Sequence, residues 1–252
     1  MVKSDAPASR LPPMLLRPER IPTTCVEHEV YDRLLALDGA QVLELGCGRA
    51  EQTRRIASTG RDRHIVAFEL DPIQHGRNLE AGDLPNVEFR LGGAEAIAAP
   101  DASFDVVLLF KSLQHVPIGE MPQALREISR VLRPGGHAYV SEPLFAGACN
   151  EIVRLFRDES RVREAAFMAV RSAVATGLFE LVEEVFFNVP VRYTDFAAFE
   201  RDVIGVTRTS FQLTPAVQAA VRRRFEGHAS ADGASFANPL RVDLLRKPLA
   251  VS

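Results

Sequence analysis

The chain of 252 residues has no tryptophan, only three cysteines and no long apolar run. Cys25, Cys47 and Cys149 lie far apart and form no CxxC pair, which excludes a cysteine zinc site and a disulfide framework. This cysteine usage is typical of a reducing compartment, so a cytoplasmic location is expected. No apolar run approaches the roughly 20 residues that a membrane helix needs, and residues 1–10 lack the apolar core of a signal peptide.

The chain also lacks a strong charge of either sign. Its formal net charge is −3, which favours neither nucleic acid nor an anionic membrane as a partner. The run Arg222, Arg223 and Arg224 does not change this conclusion, because consecutive residues of a helix point in different directions. No metal site is expected. A small molecule is therefore the predicted partner, and a homodimer is left open.

Short apolar runs alternate with helix-forming segments along the chain. The runs at 41–45 and 104–110 are almost entirely apolar, which is typical of parallel strands covered on both faces. The alternation predicts an α/β fold: a doubly wound, mostly parallel, seven-stranded sheet of Rossmann-like type with helices on both faces. Strands are expected at 41–45, 64–69, 87–91, 104–110, 136–142, 180–190 and 237–246, and helices at 25–38, 49–59, 72–81, 120–132, 147–177, 195–204 and 215–226.

The two ends of the chain differ from this alternating part. Residues 1–24 are rich in proline and arginine, which predicts an extended N-terminal arm. Residues 25–252 are expected to form a single domain, with a ligand-binding core at 40–142 and substrate-side helices at about 143–233. The latter include a helical insert at 191–233, between the last two strands.

A glycine turn follows the first predicted strand, in the run Val-Leu-Glu-Leu-Gly-Cys-Gly at 42–48. A strand, a glycine turn and a helix N-terminus form a cradle of backbone N–H groups for a nucleotide. The dinucleotide fingerprint places a third glycine where this chain has Glu51, and a carboxylate there would repel a pyrophosphate. Glu44 before the turn favours a cation. The cradle thus suits a positively charged ligand without phosphates.

Glu69 ends the second predicted strand, where a carboxylate accepts hydrogen bonds from both hydroxyls of a ribose. The next two residues begin a helix, with Asp71 at the N-cap and Pro72 at the first helical position. The sequence therefore predicts a ligand role for Glu69 and a structural role for Asp71.

Five blocks in this order resemble the class I S-adenosylmethionine-dependent methyltransferases of the small-molecule type with a methyltransferase-11-like domain. They are Val-Leu-Glu-Leu-Gly-Cys-Gly at 42–48, Val-Ala-Phe-Glu at 66–69, Gly-Gly-Ala-Glu at 92–95, Ser-Phe-Asp-Val-Val at 103–107 and Val-Leu-Arg-Pro-Gly-Gly at 131–136. The resemblance covers roughly residues 40–142. It implies S-adenosyl-L-methionine as the cofactor and in-line methyl transfer to a small organic molecule as the reaction.

The resemblance also implies a set of cofactor-binding residues. The glycine turn would lie against the amino-acid part of the cofactor, Glu44 near its ammonium or sulfonium end, and the backbone of Lys111 near its methionine part. Glu69 would hold the ribose, Leu70 would pack on the adenine, and Ala94 and Glu95 would border the adenine edge. The full set is Glu44, Gly46, Cys47, Gly48, Glu69, Leu70, Gly93, Ala94, Glu95 and Lys111.

Gly93 departs from the family pattern, which has an aspartate there that accepts a bond from the adenine amino group. Either Glu95 or a backbone carbonyl replaces that aspartate, or cofactor affinity is lower. The loss of one such hydrogen bond costs about 0.5–1.5 kcal/mol, so the departure weakens the site without abolishing it.

Catalysis of methyl transfer rests mainly on alignment of nucleophile and methyl group, and a base is needed only for a protonated acceptor. His115, after the fourth strand, and Glu142, at the end of the fifth, are the candidates, although a histidine at that position also packs or orients in relatives. His28 and Tyr31 on the N-terminal helix are weaker ones.

Aromatic residues of the substrate-side region favour an apolar acceptor pocket, although such residues at helical spacing also form cores. They are Phe145, Phe156, Phe167, Tyr193, Phe196, Phe199 and Phe211. The Asn/Asp-Pro-Pro-Tyr motif of many nucleic-acid and protein amine methylators is missing after the fourth strand. Two alternatives stay open, a cofactor-binding partner subunit without catalysis and a nicotinamide-dependent oxidoreductase.

Overall fold

The computed structural model describes residues 14–82, 84–205 and 213–249. Its strands are β1 (Gln41–Leu45), β2 (His64–Glu69), β3 (Val87–Leu91), β4 (Phe104–Phe110), β5 (Leu132–Pro143), β6 (Glu180–Tyr193), β7 (Ala229–Ser230) and β8 (Gly233–Arg246). Its helices are α1 (Glu27–Leu34), α2 (Glu51–Ser58), α3 (Pro72–Glu80), α4 (Met121–Val131), α5 (Ala148–Val153), α6 (Ser160–Ala175), α7 (Phe196–Phe199) and α8 (Pro215–Glu226). A 3₁₀ turn spans Leu113–His115, and a π-helical turn spans Glu200–Ile204.

One mixed sheet runs through the molecule in the order β3-β2-β1-β4-β5-β8-β6. The pairs β2–β3, β1–β2, β1–β4 and β4–β5 are parallel, whereas β8 pairs antiparallel with both β5 and β6. The doubly wound, mostly parallel sheet predicted from the sequence is confirmed. The two-residue β7 pairs with the start of β8 and adds an eighth strand to the seven expected.

Apolar side chains cover both faces of the central strands, as the sequence predicts for buried parallel strands. Successive residues of β1 and β4 face opposite ways: Leu43 and Val107 join α4 and α6 on one face, and Val42 and Val106 join α1 and α2 on the other. The insert between β6 and β8 contributes to a third apolar cluster, which includes side chains of α5, α7, α8 and β8. Within the described part of the chain, none of the helices combines the length and apolar character needed to cross a bilayer.

Two predicted elements differ from the structure. The helix expected at 147–177 is two helices, because the Asp158 side chain accepts a hydrogen bond from the backbone N–H of Ser160 at 2.9 Å and begins α6 separately. The fifth strand begins at Leu132, four residues earlier than expected. The added segment contains Gly135 (φ +80°), and the register between β4 and β5 shifts there, with Phe104 opposite Leu132 but Val106 opposite His137.

The described part of the N-terminal arm, from Met14, has little regular structure. Thr24 forms an isolated parallel bridge with Asn188 of β6, and the backbone N–H of Leu15 donates to the Glu184 carboxylate at 3.1 Å. The rest of the predicted arm, residues 1–13, lies outside the described residues, as does Phe211 of the predicted acceptor wall.

Candidate functional site

The glycine turn after β1 lies against the loop that follows β4. Gly46 has φ +73°, a conformation that favours glycine, and its N–H and that of Cys47 both donate to the Phe68 carbonyl at 2.9 Å. A Cβ on Gly46 would lie 2.8 Å from the Cβ of Ser112. Only glycine therefore allows the turn after β1 and the loop after β4 to approach this closely.

Glu69 connects the carboxyl ends of β1 and β2. Its side chain is buried, and its two oxygens accept hydrogen bonds from the backbone N–H groups of Gly48 and Asp71, both at 2.8 Å. The Asp71 carboxylate in turn accepts from the N–H of Ile73 at 2.9 Å, which confirms the predicted N-cap of α3. The Glu69 carboxylate is thus held in one orientation at the edge of the sheet where ligands bind in doubly wound folds.

Glu95 fills the space above Gly93. A Cβ built on Gly93 would collide with the Glu95 carboxylate, so no side chain at position 93 is compatible with this placement of Glu95. Gly92 beside it packs against the Phe68 ring, which a Cβ would approach to 2.9 Å. Here Glu95 brings a carboxylate to the place where the family pattern has the aspartate.

Lys111 joins the N-terminal helix to the end of β4. It has a left-handed backbone conformation (φ +56°), and its ammonium lies 2.7 Å from the buried carboxylate of Glu27 at the start of α1. Glu27 also accepts a hydrogen bond from the Ser141 hydroxyl, and the Lys111 N–H donates to the Ser141 carbonyl at 2.7 Å. These contacts hold α1 over the carboxyl ends of β4 and β5.

A single cavity of about 780 Å³ opens at this end of the sheet, within the usual size range of ligand pockets. Its lining falls into two groups that meet at the segment 111–117. We call the first the glycine-turn lobe, which includes Leu45, Gly46, Gly48, Glu69, Leu70, Gly93, Ala94 and Glu95. We call the second the helical lobe, which includes Leu144, Cys149, Asn150, Val153, Arg157, Glu159, Arg163, Val189, Tyr193 and Asn238.

Most of the sequence-predicted site residues therefore come together in this cavity, including Lys111 and His115 at the junction of the lobes. Cys47 does not line it. This thiol is buried beside Ala50 and Ala67, and the Asn78 amide donates to its sulfur at 3.6 Å. Burial raises its pKa well above the ordinary range, so it stays a neutral thiol.

Glu44 is also absent from the lining. It is buried one residue before the cavity begins, and the Thr53 hydroxyl donates to its carboxylate at 2.6 Å. Burial raises the pKa of Glu44 to about 7, an effect that the Thr53 hydrogen bond and the Lys111 charge oppose. Its expected electrostatic influence on a bound cation stays a prediction.

The two catalytic candidates occupy different positions. His115 is exposed and lines the cavity at the end of the 3₁₀ turn. Glu142 is buried beneath that turn and does not line the cavity; its carboxylate accepts a hydrogen bond from the backbone N–H of Gln114 at 3.2 Å. Burial raises the pKa of Glu142 to about 7. The position of Glu142 supports a role in holding the turn, and acid–base catalysis by either residue stays a prediction.

The helical lobe differs from the aromatic pocket that the sequence predicts. Tyr193 lines it, whereas Phe196 and Phe199 lie in the apolar cluster of the insert. Phe167 packs under the Arg241 guanidinium, which lies 4.5 Å from the ring centre. Aliphatic side chains and a polar group formed by Gln114, Asn150, Arg157, Glu159 and Arg163 line the lobe instead.

Neither His28 nor Tyr31 on α1 is a lining residue. The Tyr31 hydroxyl donates to Gln52 on α2 at 3.1 Å, and its ring packs against Phe110 and Tyr139. Among the described residues, no group of three or more histidine, cysteine, aspartate or glutamate side chains could hold a metal ion.

Comparisons with known proteins identify what the chain is similar to. Residues 42–136 match the family model described as a methyltransferase domain. The chain is 38% identical over 120 residues to the ubiquinone/menaquinone biosynthesis C-methyltransferase UbiE of Hahella chejuensis, covering 46% of this chain and 47% of that protein. It is 29% identical over 194 residues to the malonyl-[acyl-carrier protein] O-methyltransferase of Serratia marcescens, covering 73% and 71%.

The fold is also that of solved structures. The YcgJ protein of Bacillus subtilis superimposes with a TM-score of 0.61 at 18% identity, covering 87% of this chain and 97% of that one. The matched region and the shared fold define a class I methyltransferase domain. Residues 42–136 therefore form a methyltransferase domain of the S-adenosylmethionine-dependent type, whose cofactor is S-adenosylmethionine. It spans about half the length of the first curated relatives it matches.

Proposed function

We propose that this protein transfers the methyl group of S-adenosylmethionine to a small organic acceptor. The observation that carries the proposal is the two-lobed cavity, whose glycine-turn lobe and helical lobe meet at the segment 111–117. A methyl donor in the first lobe and an acceptor in the second would meet at that junction. In-line alignment of this kind supplies much of the acceleration of such a displacement.

The residues of the glycine-turn lobe fit the cofactor. The buried Glu69 carboxylate is held by the backbone N–H groups of Gly48 and Asp71 and would accept hydrogen bonds from the ribose hydroxyls. Gly48, where a Cβ would meet no atom within 4 Å, leaves the turn open where the amino-acid part of the cofactor would lie. Leu70, which is half exposed at the cavity wall, would pack on the adenine, and the Glu95 carboxylate above Gly93 would accept a bond from the adenine amino group.

The chain's own residues would serve the reaction by placing the two reactants. Bound S-adenosylmethionine supplies an activated methyl group with a good leaving group. His115 at the junction of the lobes would orient the acceptor and take its proton where the acceptor is a hydroxyl. Residues 40–142 would thus bind the donor, and residues 143–233 would provide the acceptor wall.

Relatives support a small acceptor. Two of the relatives described above are named a ubiquinone/menaquinone biosynthesis C-methyltransferase and a malonyl-[acyl-carrier protein] O-methyltransferase. A third relative is named a 27-O-demethylrifamycin SV methyltransferase. Against a nicotinamide cofactor, exposed Glu51 begins α2 where a pyrophosphate would lie.

Calorimetry with S-adenosylhomocysteine, the demethylated cofactor, tests the proposal through Glu69→Gln. The amide keeps the size of the side chain but loses the charge and an acceptor, so we expect the dissociation constant to rise about 10- to 100-fold. Glu88→Gln is the matched control, because Glu88 is an exposed carboxylate on the neighbouring strand β3 that pairs with Arg90. Equal binding by wild type and Glu69→Gln would contradict the assignment of Glu69.

A further inference from the structure

Asn150 presents a buried hydrogen-bond donor at the wall of the helical lobe. Its side chain is nine-tenths buried, and its Oδ1 accepts a hydrogen bond from the Arg163 guanidinium at 3.1 Å. A guanidinium only donates, so the amide oxygen must face Arg163 and the NH₂ group must face away. That nitrogen has no hydrogen-bond partner among the described residues, and a buried donor without a partner is costly.

Two guanidiniums share one carboxylate beside this amide. Arg163 lies against Glu159 on one side, and the Arg157 guanidinium is 3.1 Å from the same carboxylate. All three residues line the cavity, and together they carry a net charge of +1. The positive charges of both arginines also act on the nearby Cys149 thiol. Burial raises the pKa of this thiol, whereas a hydrogen bond with Asn238 and the charges of Arg163 and Arg157 lower it.

Arg163 is held rigidly in place. Its Nε donates to the Gln114 side chain at 3.1 Å, and its Nη1 donates to the Leu144 carbonyl at 3.0 Å. Asp202, another acidic residue of the cavity lining, lies 3.1 Å from the Arg201 guanidinium, which offsets its charge. The wall around Asn150 therefore combines fixed positive charge with an unsatisfied donor.

We propose that Asn150, Arg157 and Arg163 form a subsite that binds a carboxylate of the methyl acceptor. The net charge of the Arg157–Glu159–Arg163 group matches a monoanion, and the amide of Asn150 would donate to one of its oxygens. Leu144, Val153 and Val189 line the same lobe and suit the hydrocarbon part of an organic acid. This inference rests on the proposed function, because it names the class of acceptor for the same cavity.

Calorimetry on the full chain saturated with S-adenosylhomocysteine tests the subsite. The probes are straight-chain monocarboxylates from butanoate to dodecanoate, benzoate and cinnamate, each compared with its primary amide at equal ionic strength. We expect at least one acid to bind about tenfold or more tightly than its amide, the effect of one charge-assisted hydrogen bond. No preference for any acid over its amide would overturn the subsite.

Two variants locate the preference. Asn150→Asp keeps the acceptor for Arg163 but places a carboxylate oxygen, instead of the NH₂ group, toward the ligand. Arg157→Gln removes one positive charge. In each variant the dissociation constants of an acid and its amide should differ by no more than about twofold. Arg154→Gln, an exposed arginine one turn from Arg157 and outside the cavity lining, should keep the preference. A preference that survives in both cavity variants would overturn the subsite. Failure of the wild type to bind S-adenosylhomocysteine would instead overturn the proposed function.

Discussion

Glu142 is a carboxylate fully enclosed at the end of β5, one oxygen of which has no hydrogen-bond partner among the described residues. Its pKa is raised to about 7 by burial, although the backbone N–H of Gln114 and the charges of Arg241 and Arg163 act in the opposite direction. Because the folded state holds this proton more tightly than the unfolded chain, the contribution of Glu142 to stability is complete below the unfolded pKa. It is lost as the pH rises through about 7.

The variant Glu142→Gln should remove this pH dependence. We expect the free energy of unfolding of the variant, relative to wild type, to increase by about 3 kcal/mol between about pH 5 and about pH 8. Urea unfolding at both values measures it. Glu180→Gln, at the exposed start of β6, is the control and should show no such change. A difference between Glu142→Gln and wild type that is the same at both pH values would contradict the account.

At the scale of single residues, the sequence predicts the roles of those residues whose structure is determined by residues close to them in the chain. Gly46, Glu69 and Asp71 were recognisable because the turn, the strand end and the N-cap are local. The subsite around Asn150 was not, because it requires Gln114 and Arg163 to meet across 49 positions of the chain. The predicted helix over 147–177 also hid the break between α5 and α6, where Arg157 and Glu159 lie.

The turn between β1 and α2 is the element that brings the two halves of the cavity together. Gly46 and Gly39 have almost the same backbone conformation, φ +73° and +72°, but their surroundings differ. A Cβ on Gly46 would meet Ser112 at 2.8 Å, whereas a Cβ on Gly39 would have open space around it. The pair separates the cost of backbone conformation from the cost of a collision.

Gly39→Ala should lower the free energy of unfolding by about 1 kcal/mol, the cost of a left-handed conformation with a Cβ. Gly46→Ala should lower it by about 2–4 kcal/mol, because the collision with Ser112 adds to that cost, and it should also weaken binding of S-adenosylhomocysteine. Chemical unfolding and calorimetry measure the two effects. Equal losses of stability in both variants would show that the loop after β4 does not require glycine at position 46.

Element boundaries show where sequence patterns fail. The extra strand β7 pairs with β8 across a two-residue turn at Ala231 and Asp232, with Ser230 opposite Gly233, and the two residues of β7 are too few for an alternating pattern. Phe196 and Phe199 of α7 are spaced along the helix in a way that fits either the wall of a ligand pocket or an apolar core, so the sequence does not distinguish the two. Their burial against α8 becomes visible only when the insert is folded.

At the scale of the whole molecule, the sheet brings distant segments to one end. The alternation of apolar runs predicts the parallel half correctly, since each strand there is a local pattern and a short helix connects β1 to β2, β2 to β3 and β4 to β5. The antiparallel half is harder to infer, because β8 lies between β5 and β6 and its position depends on long-range pairing. That pairing places Asn238 and Val189 beside the residues of α5 and α6 and so builds the helical lobe.

Transfer of a labelled methyl group tests the central claim most directly. The protein is incubated with methyl-labelled S-adenosylmethionine and small-molecule extracts, and the label is followed by chromatography and mass spectrometry. The account predicts label in a small organic molecule together with an equal amount of S-adenosylhomocysteine, and a much lower rate with Glu69→Gln at the same cofactor concentration. Tight binding of S-adenosylmethionine without transfer of label to any small molecule would contradict it.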